Sequence, residues 1–163
     1  MTSIIRLCPL SGGLADKREE ATPHCYLLEV DQFTFLLDCG WDSVSDSTEA
    51  GRDYLKELKR HAHRIDAVLL SHPDTLYIGS LPHAVGRLGL SCPIYATVPV
   101  YKMGQMFLYD TFQARHLQED FNHFTLDEVD RTFKMMTKLK YNQTFHLKVR
   151  APAAAAMPAK IFC

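Results

Sequence analysis

One short apolar run, residues 65–70, limits the possible folds of this 163-residue chain more than any other segment. Its sequence is Ile-Asp-Ala-Val-Leu-Leu, and it ends abruptly at the polar pair Ser71 and His72. A nearly continuous apolar run of this length is typical of a strand that is buried on both faces, in a sheet that helices cover. The run therefore predicts an α/β fold in which a polar loop follows a central strand.

A β-hairpin is predicted just before this strand. Residues 24–30 and residues 33–38 are apolar runs separated only by an Asp-Gln dipeptide, which favours two antiparallel strands joined by a tight turn. A further β-prone run lies at residues 4–7, and the charged residues 16–20 after it predict an exposed loop. The chain thus begins with three strands, two of which form a hairpin.

Helical and extended patterns alternate along the rest of the chain. Leu55, Leu58 and Ala62 recur at helical spacing, and Thr125 with Glu128 forms the pattern of a capping box at the start of a later helix. The predicted helices are residues 52–62, 81–88, 99–116 and 126–138, and the predicted later strands are residues 93–96 and 144–149. We expect the third of these helices to be well buried, since its Met and aromatic residues are common in cores.

The composition is that of a globular intracellular chain. Hydrophobic residues make up 47% and charged residues 23% of the sequence, and the formal net charge of -1 gives no basic field for binding along nucleic acid. No apolar run approaches the roughly 18 residues of a membrane span, and the first residues lack the pattern of a signal peptide. The five cysteines include no CxxC pair. This favours reduced thiols, with Cys8, Cys25 and Cys39 packed among apolar residues.

Two segments that follow predicted strands carry the residues of chemical interest. The first is Asp38-Cys39-Gly40, and the second is the loop Ser71-His72-Pro73-Asp74-Thr75-Leu76-Tyr77. They resemble the metallo-β-lactamase superfamily, in which a strand ending in Asp-x-Gly is followed, one helix later, by a strand ending in a His-x-His-x-Asp-His loop. The resemblance is strongest to non-catalytic members of its RNA-processing branch. The stretches that carry it best are residues 36–42, 65–74 and 94–107.

The resemblance implies an α/β (α+β) domain, a metallo-β-lactamase-like sandwich of sheet and helices, over residues 1–149. The family continues with a glycine- and histidine-containing strand segment, whereas residues 150–163 are rich in alanine and proline and predict a disordered tail. We therefore expect the fold to be incomplete. An unpaired sheet edge and a partly exposed core are then expected to make the chain prone to aggregate.

The loop departs from the metal-binding pattern that the resemblance implies. Counting from Ser71, His72 stands at the first His position and Asp74 at the second. Leu76 stands at the Asp position and Tyr77 at the last His. Catalytic zinc requires about three protein ligands and an open position for water, yet leucine has no lone pair and tyrosine must first ionise from a pKa of about 10. We therefore expect no metal, no cofactor and no catalytic residue.

Structural roles are expected for the polar residues that remain. Asp38, at the end of its strand, is expected to orient the loop or to cap a turn, and His72 is expected to hydrogen-bond backbone groups of the loop. Gly79 and Pro82 are expected to shape the turn into the next helix. The positions of the degenerate metal site are Asp38, His72, Asp74, Leu76 and Tyr77.

The resemblance also implies a structural role in pre-mRNA 3′-end processing. A domain of this kind is expected to act in the nucleus as a non-catalytic subunit of the cleavage and polyadenylation complex. Its expected partners are the catalytic zinc endonuclease subunit and scaffold proteins, with RNA contacted through the complex and no membrane involved. The alternative is an active metal-dependent RNA nuclease or hydrolase, with one metal held by His72, Asp74 and groups supplied downstream.

Overall fold

Within the residues that the structure describes, one sheet contains six strands that lie side by side in sequence order. The computed structural model describes residues 4–11, 22–42, 49–117, 121–146 and 160–162, so the loop predicted at residues 16–20 falls outside the described residues. The six strands are β1 (Ile5–Pro9), β2 (Tyr26–Val30), β3 (Phe33–Leu37), β4 (Ala67–Leu70), β5 (Ile94–Thr97) and β6 (Met136–Leu139). The helices are α1 (Glu49–Ala62), α2 (Thr75–Ile78), α3 (Leu81–Arg87), α4 (Val98–His116) and α5 (Leu126–Met135).

The predicted hairpin is confirmed as β2 and β3, which pair antiparallel with Leu28 opposite Phe35. Asp31 in the turn has a φ of 54°, a left-handed conformation that aspartate tolerates better than most residues. Its backbone N–H donates to the carbonyl of Ile4 at 2.9 Å, and its carboxylate accepts the N–H of Ile4 at 3.0 Å. These bonds tie the turn to the start of β1, which pairs antiparallel with β2.

The other half of the sheet is parallel, with β3, β4, β5 and β6 running in one direction. Each parallel connection passes through one or two helices, as crossovers of this kind require. Buried side chains from all five helices form one core with sheet residues such as Leu36 and Val68. Their neighbours Phe35 and Ala67 point to the opposite face and belong to a separate apolar cluster. The five helices therefore cover one face of the sheet.

The opposite face of the sheet meets no helix within the described ranges. Its half-buried strand residues are Leu28, Val30, Phe33, Leu37 and Leu69. Ile5 and Leu7 extend this face, because they pair with Val30 and Leu28, and they are 67% and 58% exposed. The central strand is buried on both faces as predicted, with Val68 0% and Ala67 1% exposed, and among the described residues the buried helix side chains lie on the Val68 face. An apolar run shows that a strand is buried but does not show which element covers each side.

Helix α4 is buried along one stripe only. Val100, Gly104 and Leu108 face the core, whereas Met103 and Met106 are 45% and 67% exposed. The prediction of a well-buried helix is therefore wrong, because apolar residues lie on several sides of α4 and only the stripe that faces its neighbours is covered. Neither α4 nor another helix of the described ranges is long and apolar enough to cross a bilayer.

Helix α5 begins at the predicted capping box and ends earlier than predicted. The Thr125 hydroxyl accepts the N–H of Glu128 at 3.3 Å, and the Glu128 carboxylate accepts the N–H of Thr125 at 2.8 Å. At Met136 the backbone becomes extended, and the chain continues as β6 beside β5. The predicted helix end at residue 138 is therefore wrong, because strand pairing outweighs the local helical pattern.

Replacing Thr125 by alanine is expected to lower the stability of the chain by about 1 kcal/mol, because the N–H of Glu128 would lose its acceptor. This corresponds to a fall of about 2–4 °C in the midpoint of thermal unfolding, which circular dichroism can measure. Thr125→Ser keeps the hydroxyl and is the matched control. Equal midpoints for the two variants would contradict this role of the cap.

A second sheet consists of β7 (Thr144–His146) and β8 (Lys160–Phe162), which pair antiparallel. The strand predicted at residues 144–149 is present at its first three positions, and its remaining residues lie outside the described chain. Within the segment 150–163, for which disorder is predicted, the structure describes only residues 160–162, which form β8. The rest of that segment also lies outside the described residues.

Candidate functional site

The predicted positions of the degenerate metal site lie together at one edge of the sheet. β3 and β4 are parallel neighbours, so the segment after β3 and the loop after β4 leave the sheet at the same end. We call residues 71–80 the strand-end loop. The positions that the structure gathers here are Asp38, His72, Asp74, Leu76 and Tyr77.

Backbone hydrogen bonds close the strand-end loop against the segment after β3. The N–H of Cys39 donates to the carbonyl of Tyr77 at 2.6 Å, and the N–H of Ser80 donates to the carbonyl of Cys39 at 3.0 Å. The N–H of Trp41 donates to the carbonyl of Thr75 at 2.8 Å. The loop is thus closed through main-chain atoms.

Gly40 permits this close approach. A Cβ at this position would lie 1.8 Å from the carbonyl oxygen of Leu76 and 2.8 Å from the backbone nitrogen of His24. The N–H of Gly40 donates to the carbonyl of His24 at 2.9 Å, and the N–H of His24 donates to the carbonyl of Leu76 at 2.8 Å. Three separate segments of the chain therefore meet at Gly40, where a larger residue would not fit.

Asp38 orients the start of the strand-end loop, the first of the two roles expected for it. Its carboxylate accepts the backbone N–H of Ser71 at 2.8 Å and the Ser71 hydroxyl at 2.7 Å. Burial raises the pKa of Asp38 above 3.8, although the bonds from Ser71 and the nearby His72 and His24 act in the opposite direction. The carboxylate is therefore engaged in holding the loop.

His72 is exposed, and its Nδ1 lies 3.0 Å from the Ser71 hydroxyl oxygen. Because that hydroxyl donates its proton to the ionised Asp38, we assign the imidazole N–H to Nδ1, from which it donates to the hydroxyl. The hydrogen bond of His72 thus goes to a side chain, whereas the prediction placed it on backbone groups of the loop. The series Asp38, Ser71 and His72 fixes the orientation of the imidazole ring.

The phenol ring of Tyr77 contacts two imidazoles. Its centroid lies 4.5 Å from that of His24 with an interplanar angle of 19°, and 4.6 Å from that of His72 with an angle of 31°. Tyr77 therefore contacts one imidazole from the segment before β2 and one from its own loop. His24 is a site residue that the sequence did not reveal, because only the tertiary fold brings it to the loop.

The remaining positions do not complete a metal site. Leu76 is half-buried and lines a cleft of about 370 Å³ together with Trp41 and Arg115. Asp74 is exposed, and its carbonyl accepts the N–H of Tyr77 at 2.9 Å. Among the described residues, no three His, Cys, Asp or Glu side chains are placed to hold a metal ion. The residues present therefore do not fit a catalytic zinc ion.

A pair of histidines, buried His123 and half-buried His83, supports the far end of the strand-end loop. The Ser80 hydroxyl lies 3.2 Å from Nε2 of His123, whose ring stacks with those of Trp41 and His83 at centroid distances of 4.9 Å each. The Nδ1–H of His83 donates to the carbonyl of His123 at 2.8 Å. Burial lowers the pKa of His83, so this ring is neutral at neutral pH. This cluster could not be predicted from local patterns, because it joins residues that are distant along the chain.

Gly79 and Pro82 form the turn into α3, as predicted. Gly79 follows α2 directly, and a Cβ there would lie 2.5 Å from the carbonyl oxygen of Thr75. Pro82 lies in the first turn of α3, where its missing N–H would have no partner within the helix.

The cysteines of the described chain are free thiols. Cys25 and Cys39 are buried as predicted, whereas Cys8 is exposed, so the prediction of burial is wrong for Cys8. The reason is that Cys8 belongs to β1, an edge strand whose residues are exposed. A hydrogen bond with Cys25, together with burial, holds the pKa of Cys39 well above its ordinary value. This thiol is therefore a packing group.

Comparisons with known proteins agree with the fold. Over 158 residues the chain is 49% identical to the "Probable cleavage and polyadenylation specificity factor subunit 2" of Drosophila melanogaster, an alignment that covers 97% of this chain and 20% of that protein. The protein of the same name from Caenorhabditis elegans is 50% identical over 148 residues, covering 91% of this chain and 16% of the relative. The chain thus spans about a fifth of the length of these relatives or less.

A solved structure from Thermotoga maritima, a metallo-beta-lactamase-type protein, superposes with a TM-score of 0.50 at 19% identity, covering 87% of this chain and 66% of that one. At this identity the likeness concerns the fold alone. Residues 27–158 match the sequence profile of the metallo-beta-lactamase superfamily domain. Because this match takes in most of the sheet and all five helices, the chain belongs to the metallo-beta-lactamase superfamily.

Proposed function

We propose that the chain is a non-catalytic structural component of the nuclear machinery that cleaves and polyadenylates pre-mRNA 3′ ends. The names of the relatives support the process, and the strand-end loop supports the non-catalytic role. The observation that carries the proposal is that the loop is closed by backbone bonds although a leucine, Leu76, stands at a metal-ligand position.

Metal-dependent hydrolysis depends on a water molecule that the ion activates, and this requires ligands that hold the ion with one position open. The polar groups at the strand ends serve other purposes here. Asp38 accepts two hydrogen bonds from Ser71, and His72 is bonded to the same hydroxyl. Tyr77 packs against imidazole rings. This arrangement favours scaffolding over hydrolysis.

The partners we propose are the catalytic endonuclease subunit and scaffold proteins of the same complex, with RNA contacted through the assembly. The formal net charge of the chain is -1. Binding to nucleic acid draws mainly on positive charge at the protein surface. The charge of the chain therefore favours proteins as its direct partners.

Association is tested by purifying the tagged chain from cells and identifying the proteins that accompany it by mass spectrometry. We expect subunits of the cleavage and polyadenylation complex, including the endonuclease, to be enriched over a control with the tag alone. Recovery of the folded chain without any of these subunits would contradict the proposed role.

Metal content and RNA cleavage distinguish this role from that of an active nuclease. We expect the purified protein to bind zinc far below stoichiometry and to show no metal-dependent cleavage of RNA. The matched control carries Asp74→His, Leu76→Asp and Tyr77→His, which restore the ligand types of the superfamily loop and should raise zinc binding. Stoichiometric zinc together with metal-dependent cleavage by the unaltered protein would overturn the proposal.

A further inference from the structure

We propose that the ring of Tyr77, in contact with the imidazoles of His24 and His72, takes the place of a metal ion as the link that closes the strand-end loop. We call these three rings the ring clamp. The inference deepens the non-catalytic function proposed above and rests on it in one respect, that no metal is bound at this site. In this proposal His24, His72 and Tyr77 are positioning residues.

The rings of the clamp come from two separate parts of the chain. His24 lies before β2, whereas His72 and Tyr77 both belong to the strand-end loop, His72 just after β4 and Tyr77 in α2. A metal ion at such a place holds side chains from separate segments together, so that its binding energy contributes to folding. Stacked rings that join the same segments restrain them in a comparable way, since each aromatic contact adds attraction beyond the area it buries.

The ring clamp lies beside the backbone bonds that close the loop. The N–H of His24 donates to the carbonyl of Leu76 at 2.8 Å, and the N–H of Cys39 donates to the carbonyl of Tyr77 at 2.6 Å. Separating the rings of His24 and Tyr77 moves the same residues that make these bonds. The ring contacts and the backbone bonds are therefore expected to open together.

Hydrogen bonds orient His72, the exposed member of the clamp, independently of its contact with Tyr77. The imidazole of His72 bonds the Ser71 hydroxyl at 3.0 Å, and that hydroxyl bonds the carboxylate of Asp38 at 2.7 Å. A side chain that is already oriented loses less conformational freedom when it makes a further contact. His72 can therefore support Tyr77 although solvent reaches it.

The clamp and a shared metal ion exclude each other. The ring of Tyr77 contacts both imidazoles directly, with centroid distances of 4.5 and 4.6 Å. A zinc ion lies only about 2 Å from each nitrogen that binds it, so the ring contacts would have to rearrange for one ion to bind both imidazoles. Zinc and chelators are therefore expected to leave the closed loop unchanged.

Hydrogen exchange of the loop amides, followed by mass spectrometry on the whole chain, tests the clamp. Tyr77→Leu removes both ring contacts, and the amides of residues 77–80 should then exchange about tenfold faster, the factor that two such contacts provide. Tyr77→Phe keeps the ring and should exchange within about twofold of the unaltered chain. Unchanged protection of the amides in β4 and β5 shows that each variant is folded.

A second pair of variants covers the case in which Tyr77→Leu does not fold. His72 is exposed, so His72→Ala leaves the core intact and should still speed exchange in the loop. His72→Phe keeps a ring but loses the bond to Ser71, so it should restore part of the protection. Loop exchange that stays unchanged in His72→Ala and in folded Tyr77→Leu would overturn the clamp and leave the non-catalytic function standing. Slower exchange on adding zinc would also overturn the clamp. Only if RNA cleavage accompanied that zinc effect would the proposed function fail with it.

Discussion

Replacing Gly40 by alanine is expected to cost about 3 kcal/mol or more of folding stability, because the new methyl group has no space. It would lie 1.8 Å from the carbonyl oxygen of Leu76 and 2.8 Å from the backbone nitrogen of His24. Both are main-chain atoms, so rotating a side chain cannot relieve the clash. The segments must separate and lose the bonds between them. The midpoint of thermal unfolding should fall by roughly 6–12 °C.

Gly89→Ala is the matched control for this experiment. Gly89 has a φ of 79°, and an added Cβ would meet nothing within 4 Å. Only the strain of a left-handed alanine is then expected, about 1–2 kcal/mol. Denaturant unfolding of both variants measures the difference. A loss in Gly40→Ala no larger than that in Gly89→Ala would show that the strand-end loop does not pack closely against Gly40.

Replacing Asp38 by alanine is expected to cost about 2–4 kcal/mol, because two donors of Ser71 lose their acceptor and alanine is strained in a left-handed backbone. The φ of Asp38 is 57°. Asp38→Asn is the matched control, since its amide can accept the N–H of Ser71, donate to the hydroxyl and tolerate this φ. We expect Asp38→Asn to lose less than about 1 kcal/mol in denaturant unfolding. Similar losses for the two variants would show that the hydrogen bonds to Ser71 contribute little.

The difference in stability between the unaltered chain and Asp38→Asn is expected to depend on pH. Burial raises the pKa of Asp38 above 3.8, so the folded chain holds a proton on this group more tightly than the unfolded chain does. The stability contributed by protonation is fully present below pH 3.8 and is lost as the pH rises through the folded pKa. Since asparagine does not titrate, the stability difference between the unaltered chain and Asp38→Asn should shrink as the pH rises above 3.8. A stability difference that grows as the pH rises would contradict burial as the main influence on the pKa of Asp38.

Local sequence patterns predicted those parts of the fold that depend on interactions between residues close in the sequence. The hairpin of β2 and β3 follows from two apolar runs with a short polar turn, and the start of α5 follows from Thr125 and Glu128. The role of Asp38 could be anticipated because a carboxylate at a strand end is well placed to accept bonds from the next loop. In each case the partners lie on neighbouring segments or on adjacent strands.

Features that depend on tertiary contacts could not be predicted from local sequence patterns. Met103 and Met106 have the residue type of a core, yet within the part of the chain that the structure describes they are 45% and 67% exposed. Met136 continues a helical pattern in the sequence, but in the structure it pairs with β5 as the first residue of β6. His24 carries no mark of a site residue, and only the packing of the hairpin against the strand-end loop brings its ring to Tyr77.

Closure of the strand-end loop through main-chain atoms has an evolutionary consequence. The bonds that join Cys39, Trp41 and Ser80 across the two segments use groups that nearly all residue types supply. These bonds therefore remain available when the ligand side chains of the loop are exchanged. A member of this superfamily can lose its metal by gradual drift and keep its architecture for other uses long after catalysis has gone.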